Sequence, residues 1–335
     1  MKNMIEYISS KTKNKKIIAV GNPPYQENNG VFGKGSKAIY PYFMNKLIAS
    51  NKIDMVKLVL PARWFSSTKG RPKAFRVGMV KDGRIKTLTY FERSQDIFPT
   101  VRVQGGICFI HWDKNHRGQA LFRYKNEAFS TDLAQFDIIL DDPFFARIVN
   151  KILDSWDGEF IANQACSTEP FGIESFYFKR NEGATAESTD AIKCYTKGRK
   201  INFIKRTTIK KNSDKIDDWK VAIPKAYSTD SGRFTLPTHQ IFLIEKGAVC
   251  TATYNILCSF KTKAEAEKLI AYLGTNFARY LLGLRKLTQD IPKDRWSWVP
   301  CLDLKKDWND EKLFAQFGLS KEEQEHIEKK IEEWS

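Results

Sequence analysis

The apolar run Lys16-Ile17-Ile18-Ala19-Val20 stops at Gly21-Asn22-Pro23-Pro24-Tyr25, and no other feature constrains the fold as tightly. Ile and Val branch at Cβ and favour extended backbone. An unbroken apolar run of this length reads as a buried strand. The prolines then end it, because each fixes φ at about −65° and has no N–H to offer a ladder. The residues that follow repeat the theme. Apolar positions at Tyr40, Phe43, Met44, Leu47 and Ile48 have helical spacing. Met55–Leu60 reads as a second buried strand ended by Pro61, residues 72–80 as a short helix, and Ile85–Phe91 and Gly106–Trp112 as two more strands. A Gly-, Asn- and Lys-rich stretch from Gln26 to Lys37 has no periodicity and reads as a loop. Strands alternating with helices, then a closing pair of strands, describe the second half of a doubly wound α/β sheet.

An acidic amphipathic stretch from Asp141 to Trp156 interrupts that pattern. Beyond it come short, turn-rich strands at Lys200–Phe203, Trp219–Ile223, Gln240–Ile244 and Ala248–Ile256. Lys263–Leu284 reads as one long amphipathic helix, and Ser320-x-x-Glu323 as a capping box that opens a last charged helix within Lys312–Trp334. The expected organisation is residues 1–120, an acidic helical connector over 121–158, a second domain over 159–300 and a helical tail over 301–335.

Charge narrows the partners. Lys and Arg outnumber Asp and Glu by 55 to 39, and the surplus is unevenly placed. Residues 1–120 carry a net +15 and residues 161–300 a net +9, while 121–160 and the last 35 residues each carry −4. Two basic blocks of this size suit a polyanion such as double-stranded DNA. The same surplus is compatible with a Lys-rich protein from an AT-rich genome. The six cysteines form no C-x-x-C pair, and the four histidines are scattered, so reduced thiols and no metal are expected. No apolar run has the length of a membrane span, and no signal-peptide core stands at the start, which makes the cytoplasm the expected compartment.

Val20-Gly21-Asn22-Pro23-Pro24-Tyr25-Gln26 resembles motif IV of the gamma-class adenine-N6 DNA methyltransferases of restriction-modification systems. Val59–Trp64 looks like their next strand and turn, and Asp96–Pro99 through Gly105–Phe109 is similar to the motif that supplies a second aromatic. Glu169-Pro170-Phe171-Gly172-Ile173, Thr288–Pro292, Trp298–Pro300 and the Asp303–Trp308 stretch resemble the target-recognition domain of type IIG-like enzymes. The resemblance implies an α/β chain: a partial doubly wound, Rossmann-like methyltransferase sheet, then a mixed α+β target-recognition domain.

The residue types suit the implied reaction. The adenine amine is a poor nucleophile because its lone pair is delocalised into the ring. Two acceptors against the amine hydrogens, the Asn22 side-chain oxygen and the Pro23 carbonyl, would localise that pair. Pro24 fixes the turn, and Tyr25 would stack on a base flipped out of the duplex. By itself, a strand ending in Asn-Pro-Pro is also a plain turn. Phe98 is the candidate to pack on the other side of the adenine, or else a core residue at a strand end. Arg63, Arg102, Arg199, Lys200, Lys205, Arg206 and Lys210 are candidate DNA contacts, although a charge run is also a solvated face.

One departure limits the resemblance. The family takes its methyl group from S-adenosylmethionine, bound by a Gly-rich loop ahead of the Asn-Pro-Pro-Tyr motif. Only 21 residues precede Asn22 here, and a βαβ unit needs about 30. Gly33-Lys34-Gly35 lies in the loop after the motif, and Asp142-Pro143-Phe144 is followed by Phe145-Ala146-Arg147 where glycines would be needed. A separate subunit, or a further N-terminal region, is therefore expected to supply the cofactor domain. The alternative is a DNA-binding specificity module without catalysis. A nuclease has little support, because no acidic pair precedes an E-x-K spacing.

Overall fold

The computed structural model describes residues 2–12, 15–27, 37–67, 70–166, 168–180, 183–227, 236, 238–286 and 289–332. Gly33-Lys34-Gly35, Thr288 and Trp334 lie outside the described residues. The chain falls into two compact units, residues 1–146 and 147–335.

The first unit runs α1 (Lys2–Lys11), β1 (Ile18–Gly21), β2 (Gln26–Glu27), β3 (Lys37–Ala38), α2 (Tyr40–Ile48), β4 (Met55–Pro61), α3 (Gly70–Asp82), β5 (Ile85–Phe91), β6 (Ile107–Asp113), β7 (Ala120–Tyr124) and β8 (Glu127–Thr131). Six of these strands form one sheet in the order β1-β4-β6-β5-β7-β8. β1 is parallel to β4 and β7 to β5, whereas β6 runs antiparallel between β4 and β5. β1, β4, β5 and β7 therefore end at one edge of the sheet. Alternation decides which face is covered. Val56, Leu58 and Leu60 of β4, Leu88 of β5 and Ile110 of β6 bury one face in a core with Met44 of α2 and Phe75 and Met79 of α3.

Two expectations change. The stretch expected as a connector over 121–158 contributes most of β7 and all of β8 to this sheet, and α4 (Pro143–Ser155) crosses the division between the units. β1, expected as a buried strand, is the sheet's edge: Ile18 is 48% and Val20 75% exposed. The apolar sequence set the strand. Whether a neighbour covers it depends on residues far away in the chain.

The second unit continues with α5 (Ile161–Gln164), α6 (Tyr177–Arg180), β9 (Ala191–Thr196), β10 (Lys200–Lys205), β11 (Trp219–Pro224), β12 (Phe242–Ile244), β13 (Ala248–Cys250), β14 (Tyr254–Phe260), α7 (Lys263–Leu273), α8 (Asn276–Arg285), α9 (Asp310–Gln316) and α10 (Lys321–Glu332). Two three-stranded sheets, β10-β9-β13 and β12-β11-β14, share a core that includes Phe171, Ile173, Ile204, Ala222, Ile244 and Val249.

The expected strand over 248–256 is two, and the expected helix over 263–284 is also two. Gly274 ends α7, and Thr275 starts α8 by accepting from the Ala278 N–H. The Asp310 carboxylate takes the N–H groups of Asn276 and Phe277. An acceptor more than thirty residues away thus satisfies donors that a continuous helix would have used internally. The capping box stands: the Ser320 N–H donates to the Glu323 carboxylate and the Glu323 N–H to the Ser320 hydroxyl.

Candidate active site at the carboxyl edge of the first sheet

Asn22-Pro23-Pro24-Tyr25 leaves the carboxyl end of β1, where Gly21 pairs with Leu58. Open α/β sheets present ligand sites beyond the carboxyl ends of their parallel strands, because the connecting loops gather there. Asn22 and Pro24 are exposed, while Pro23 and Tyr25 are half-buried. The turn is anchored downstream. The Ile39 N–H donates to the Tyr25 carbonyl, and Gln26–Glu27 pairs with Lys37–Ala38 as a small antiparallel ladder.

The Tyr25 hydroxyl is buried, with the Asn22 side chain approaching it and no well-formed hydrogen bond to it among the described residues. Burial raises its pKa, and the nearby Cys108 thiol adds to the rise; the Asn22 amide opposes it. Cys108 lies fully buried in β6, where burial pushes its thiol up to about 12 and keeps it a neutral packing group. Tyr40, at the start of α2, is raised by the same burial and the same thiol, and the Arg63 guanidinium opposes the shift. Tyr25, Tyr40, Arg63 and Cys108 thus form one neighbourhood behind the Asn22 turn.

Arg63 sits on the single turn Ala62–Phe65 that follows β4, and it is exposed. Two features fix this turn, and sequence reasoning had noted neither of them as such. Buried Arg76 of α3 donates to the carbonyls of Trp64 at 3.0 Å and Ser67 at 2.6 Å. The Ala62 N–H donates to the carbonyl of Gly106. Gly106 has φ +73°, and a Cβ there would lie 2.2 Å from the Phe91 carbonyl oxygen. Only glycine lets β6 start this close to the end of β5. The glycine pair at 105–106 was the visible signal. Arg76 gave none, since an arginine in a short helix is usually solvated.

Phe98 and Arg102 lie on the loop between β5 and β6, at the same edge of the sheet. Phe98 is half-buried and Arg102 exposed. Ser94, buried and unremarked in the sequence, ties this loop: its hydroxyl donates to the Val101 carbonyl at 2.6 Å and accepts from the Val103 N–H at 2.8 Å. The Phe98 N–H donates to the Ser94 carbonyl at 2.8 Å. Beside the β2–β3 ladder a cleft of about 560 Å³ opens, lined by Glu27, Ile39, Tyr42, Arg71 and Phe75 among others.

The remaining candidates lie in the second unit. Lys200 and Lys205 are exposed at the two ends of β10, and Lys210 is exposed on the following loop. Lys210 packs along Gly172, which brings the 169–173 segment and the 210–212 loop together. Asn212 extends that contact by donating to the Pro170 carbonyl. Arg199 is engaged internally: its N–H donates to the Tyr254 hydroxyl, and its guanidinium lies 4.7 Å from the centre of the Phe242 ring. Arg206 faces Asp217 with both arms of its guanidinium, one at 2.9 Å. The basic run therefore divides into exposed lysines, which make no ion pair among the described residues, and committed arginines.

Comparison with known proteins places the first unit. The Eco57I restriction-modification methylase family matches residues 2–98. An uncharacterized adenine-specific methylase of Mycoplasma pneumoniae is 34% identical over 110 residues, covering 32% of this chain and 26% of that protein. The chain thus spans about a quarter of the curated relative it matches. Among solved structures, the type IIG restriction endonuclease BpuSI aligns over 93% of this chain and 48% of its own, with TM-score 0.35 and 12% identity. The DrdV–DNA complex aligns over 90% and 44%, with TM-score 0.41 and 9% identity. Among the described residues no helix is long and apolar enough to cross a membrane.

Proposed function

With residues 2–98 falling in the Eco57I restriction-modification methylase family, we propose that this chain carries the adenine-binding half of a DNA adenine-N6 methyltransferase, joined to a unit that reads the DNA. The placement of Asn22–Tyr25 supports this reading most directly: the turn is uncovered at Asn22, anchored at Tyr25, and set where parallel strands end. A flipped adenine stacked on Tyr25 offers its amine to the Asn22 side-chain oxygen and the Pro23 carbonyl. Both accept hydrogen bonds, and together they draw the nitrogen lone pair out of the ring. The contribution is positional and electrostatic, with no covalent enzyme intermediate. Phe98, on the loop held by Ser94, is the second wall of the base site. Arg63 and Arg102 contact the phosphates beside the flipped nucleotide, and Tyr42 and Arg71 of the cleft suit the neighbouring stretch of strand. In the second unit, Lys200, Lys205 and Lys210 form the backbone-contacting set.

S-adenosylmethionine does not fit the described residues. A donor site beside Asn22 needs a glycine-rich turn running from a strand into a helix N-terminus. The carboxyl-edge turns among the described residues follow β1, β4, β5 and β7, and none has that form. In this proposal the donor is held by residues outside the described ones, on the same polypeptide or a separate one.

The test is methyl transfer from radiolabelled donor to duplex DNA, using the chain assembled with the segment that holds the donor. Label is expected on adenine N6, with Asn22→Ala reducing the rate at least about 100-fold. Label on cytosine, or an unchanged rate for Asn22→Ala, overturns the assignment. Sequence-selective DNA retention by an assembly that transfers no methyl group would favour a specificity module instead.

A further inference from the structure

We propose that the cleft beside the β2–β3 ladder binds one unpaired nucleobase of the DNA, stacking its ring on Tyr42 and reading its amine edge with Glu27. The inference rests on the proposed function for DNA being the ligand, but the site itself is argued from the fold.

Residues of α2 and α3 form two sides of the cleft, and the β2–β3 ladder forms the third. Its volume of about 560 Å³ is that of a small-molecule site and can take a nucleotide. Each side is fixed in place. The Ile39 N–H donates to the Tyr25 carbonyl, so the ladder side is continuous with the Asn22–Tyr25 turn. Phe75 packs edge-on against Tyr40 and Trp64, with ring centres 5.5 and 5.1 Å away. The Arg71 guanidinium donates to the Ala38 carbonyl at 3.2 Å, which ties α3 to β3.

Tyr42 supplies the stacking surface. Its ring is 58% exposed, yet Phe43 meets it edge-on at 5.9 Å and the Lys46 ammonium lies 5.6 Å from its centre. An exposed aromatic held by its neighbours accepts any base, because every base has a π-face. A base within a duplex has both faces stacked. The ligand is therefore one that has left the stack. Extruding the target adenine removes a stacking partner from each neighbour, which lowers the cost of unstacking the next base.

Glu27 selects among bases. Its side chain is exposed and has no hydrogen-bond or ion-pair partner among the described residues. It stands in a block, residues 1–120, whose net charge is +15. A bare carboxylate on such a surface repels phosphate and weakens backbone binding. Against the amine of an unpaired base it accepts a hydrogen bond instead. Arg71 lines the same cleft without pairing to Glu27, and its charge suits the phosphate of the same nucleotide. Asn45, one turn after Tyr42 and also exposed, adds a donor and an acceptor. Thymine has no amine, and its two carbonyls repel a carboxylate. The site thus favours a base with an exocyclic amine.

Gel shifts of the full chain on duplexes with a single bulged nucleotide test this. Cytosine and thymine are compared, because a bulged adenine would also suit the base site beside Asn22. The cytosine bulge should bind at least about fivefold tighter than the thymine bulge or the fully paired duplex. Glu27→Gln, whose amide can donate to a thymine carbonyl, should narrow the cytosine–thymine difference to less than about twofold. Tyr42→Ala should remove the preference for a bulge. Both side chains are exposed, so neither change disturbs the core. Equal binding of the two bulges, no gain over the paired duplex, or a preference that survives either substitution overturns the inference. Displacement of the bulged duplex by an equal concentration of free dCMP also overturns it, by assigning the cleft to free nucleotides. An assembly that methylates adenine but ignores the bulge would refute this inference and leave the proposed function standing. Bulge reading by a chain whose assembly transfers no methyl group would do the reverse.

Discussion

Replacing Gly106 by alanine tests whether the close approach of β5 and β6 holds the carboxyl edge in shape. The added Cβ would meet the Phe91 carbonyl oxygen at 2.2 Å and the Glu92 carbonyl oxygen at 2.8 Å. Both are backbone atoms, so no side-chain rotation relieves the clash, and the start of β6 must move. Two hydrogen bonds move with it: Ala62 N–H to the Gly106 carbonyl at 3.0 Å, and Gly106 N–H to the Val103 carbonyl at 3.1 Å. The left-handed backbone costs a Cβ-bearing residue about 1–2 kcal/mol. Losing one or both hydrogen bonds adds about 1 kcal/mol each, and crowding a packed strand pair adds about 1 kcal/mol more.

The expected loss is therefore about 3–5 kcal/mol for the first unit. Gly83 supplies the control, with φ +69° and nothing within 4 Å of an added Cβ. Gly83→Ala should cost only the backbone term, about 1 kcal/mol. Amide exchange of β4 and β6 through a urea series reads the first unit without interference from the second. If the two variants lost the same stability to within about 0.5 kcal/mol, the clash argument would be wrong and the φ of Gly106 would be its whole requirement.

Three further outcomes are expected. Lys205→Ala and Lys210→Ala should each lower the salt dependence of DNA binding by about one phosphate equivalent. Arg206→Ala should change it less, because Asp217 already holds its guanidinium; gel-shift titrations from low to moderate salt measure the difference. His326 titrates below its ordinary 6.5, at about 4, because burial disfavours the charged ring and Lys330, Arg147 and Lys329 repel it. With the folded value below the unfolded one, the unfolded chain binds the proton first as pH falls. The second unit should therefore lose about 1–2 kcal/mol between pH 6.5 and 4.5, after allowance for partial exposure, and His326→Gln should abolish that component in urea unfolding at the two pH values.

The sequence by itself determined the local elements. β-branched runs and their breakers marked Ile85–Phe91 to the residue, and Met55–Leu60 and Gly106–Trp112 to within one. The Asn22–Tyr25 turn was legible because two prolines end a strand wherever they stand. The capping box at Ser320 was legible for the same reason: its partners are three residues apart. Tertiary structure alone decided the non-local matters. It put β6 antiparallel between β4 and β5, split the helix over 263–284 by lending it Asp310, and tied Arg206 to Asp217. It also turned Ile18-Ala19-Val20 from an expected interior strand into an exposed edge. Apolar periodicity records what a strand needs beside it. Only the pairing of distant segments decides whether that neighbour is present.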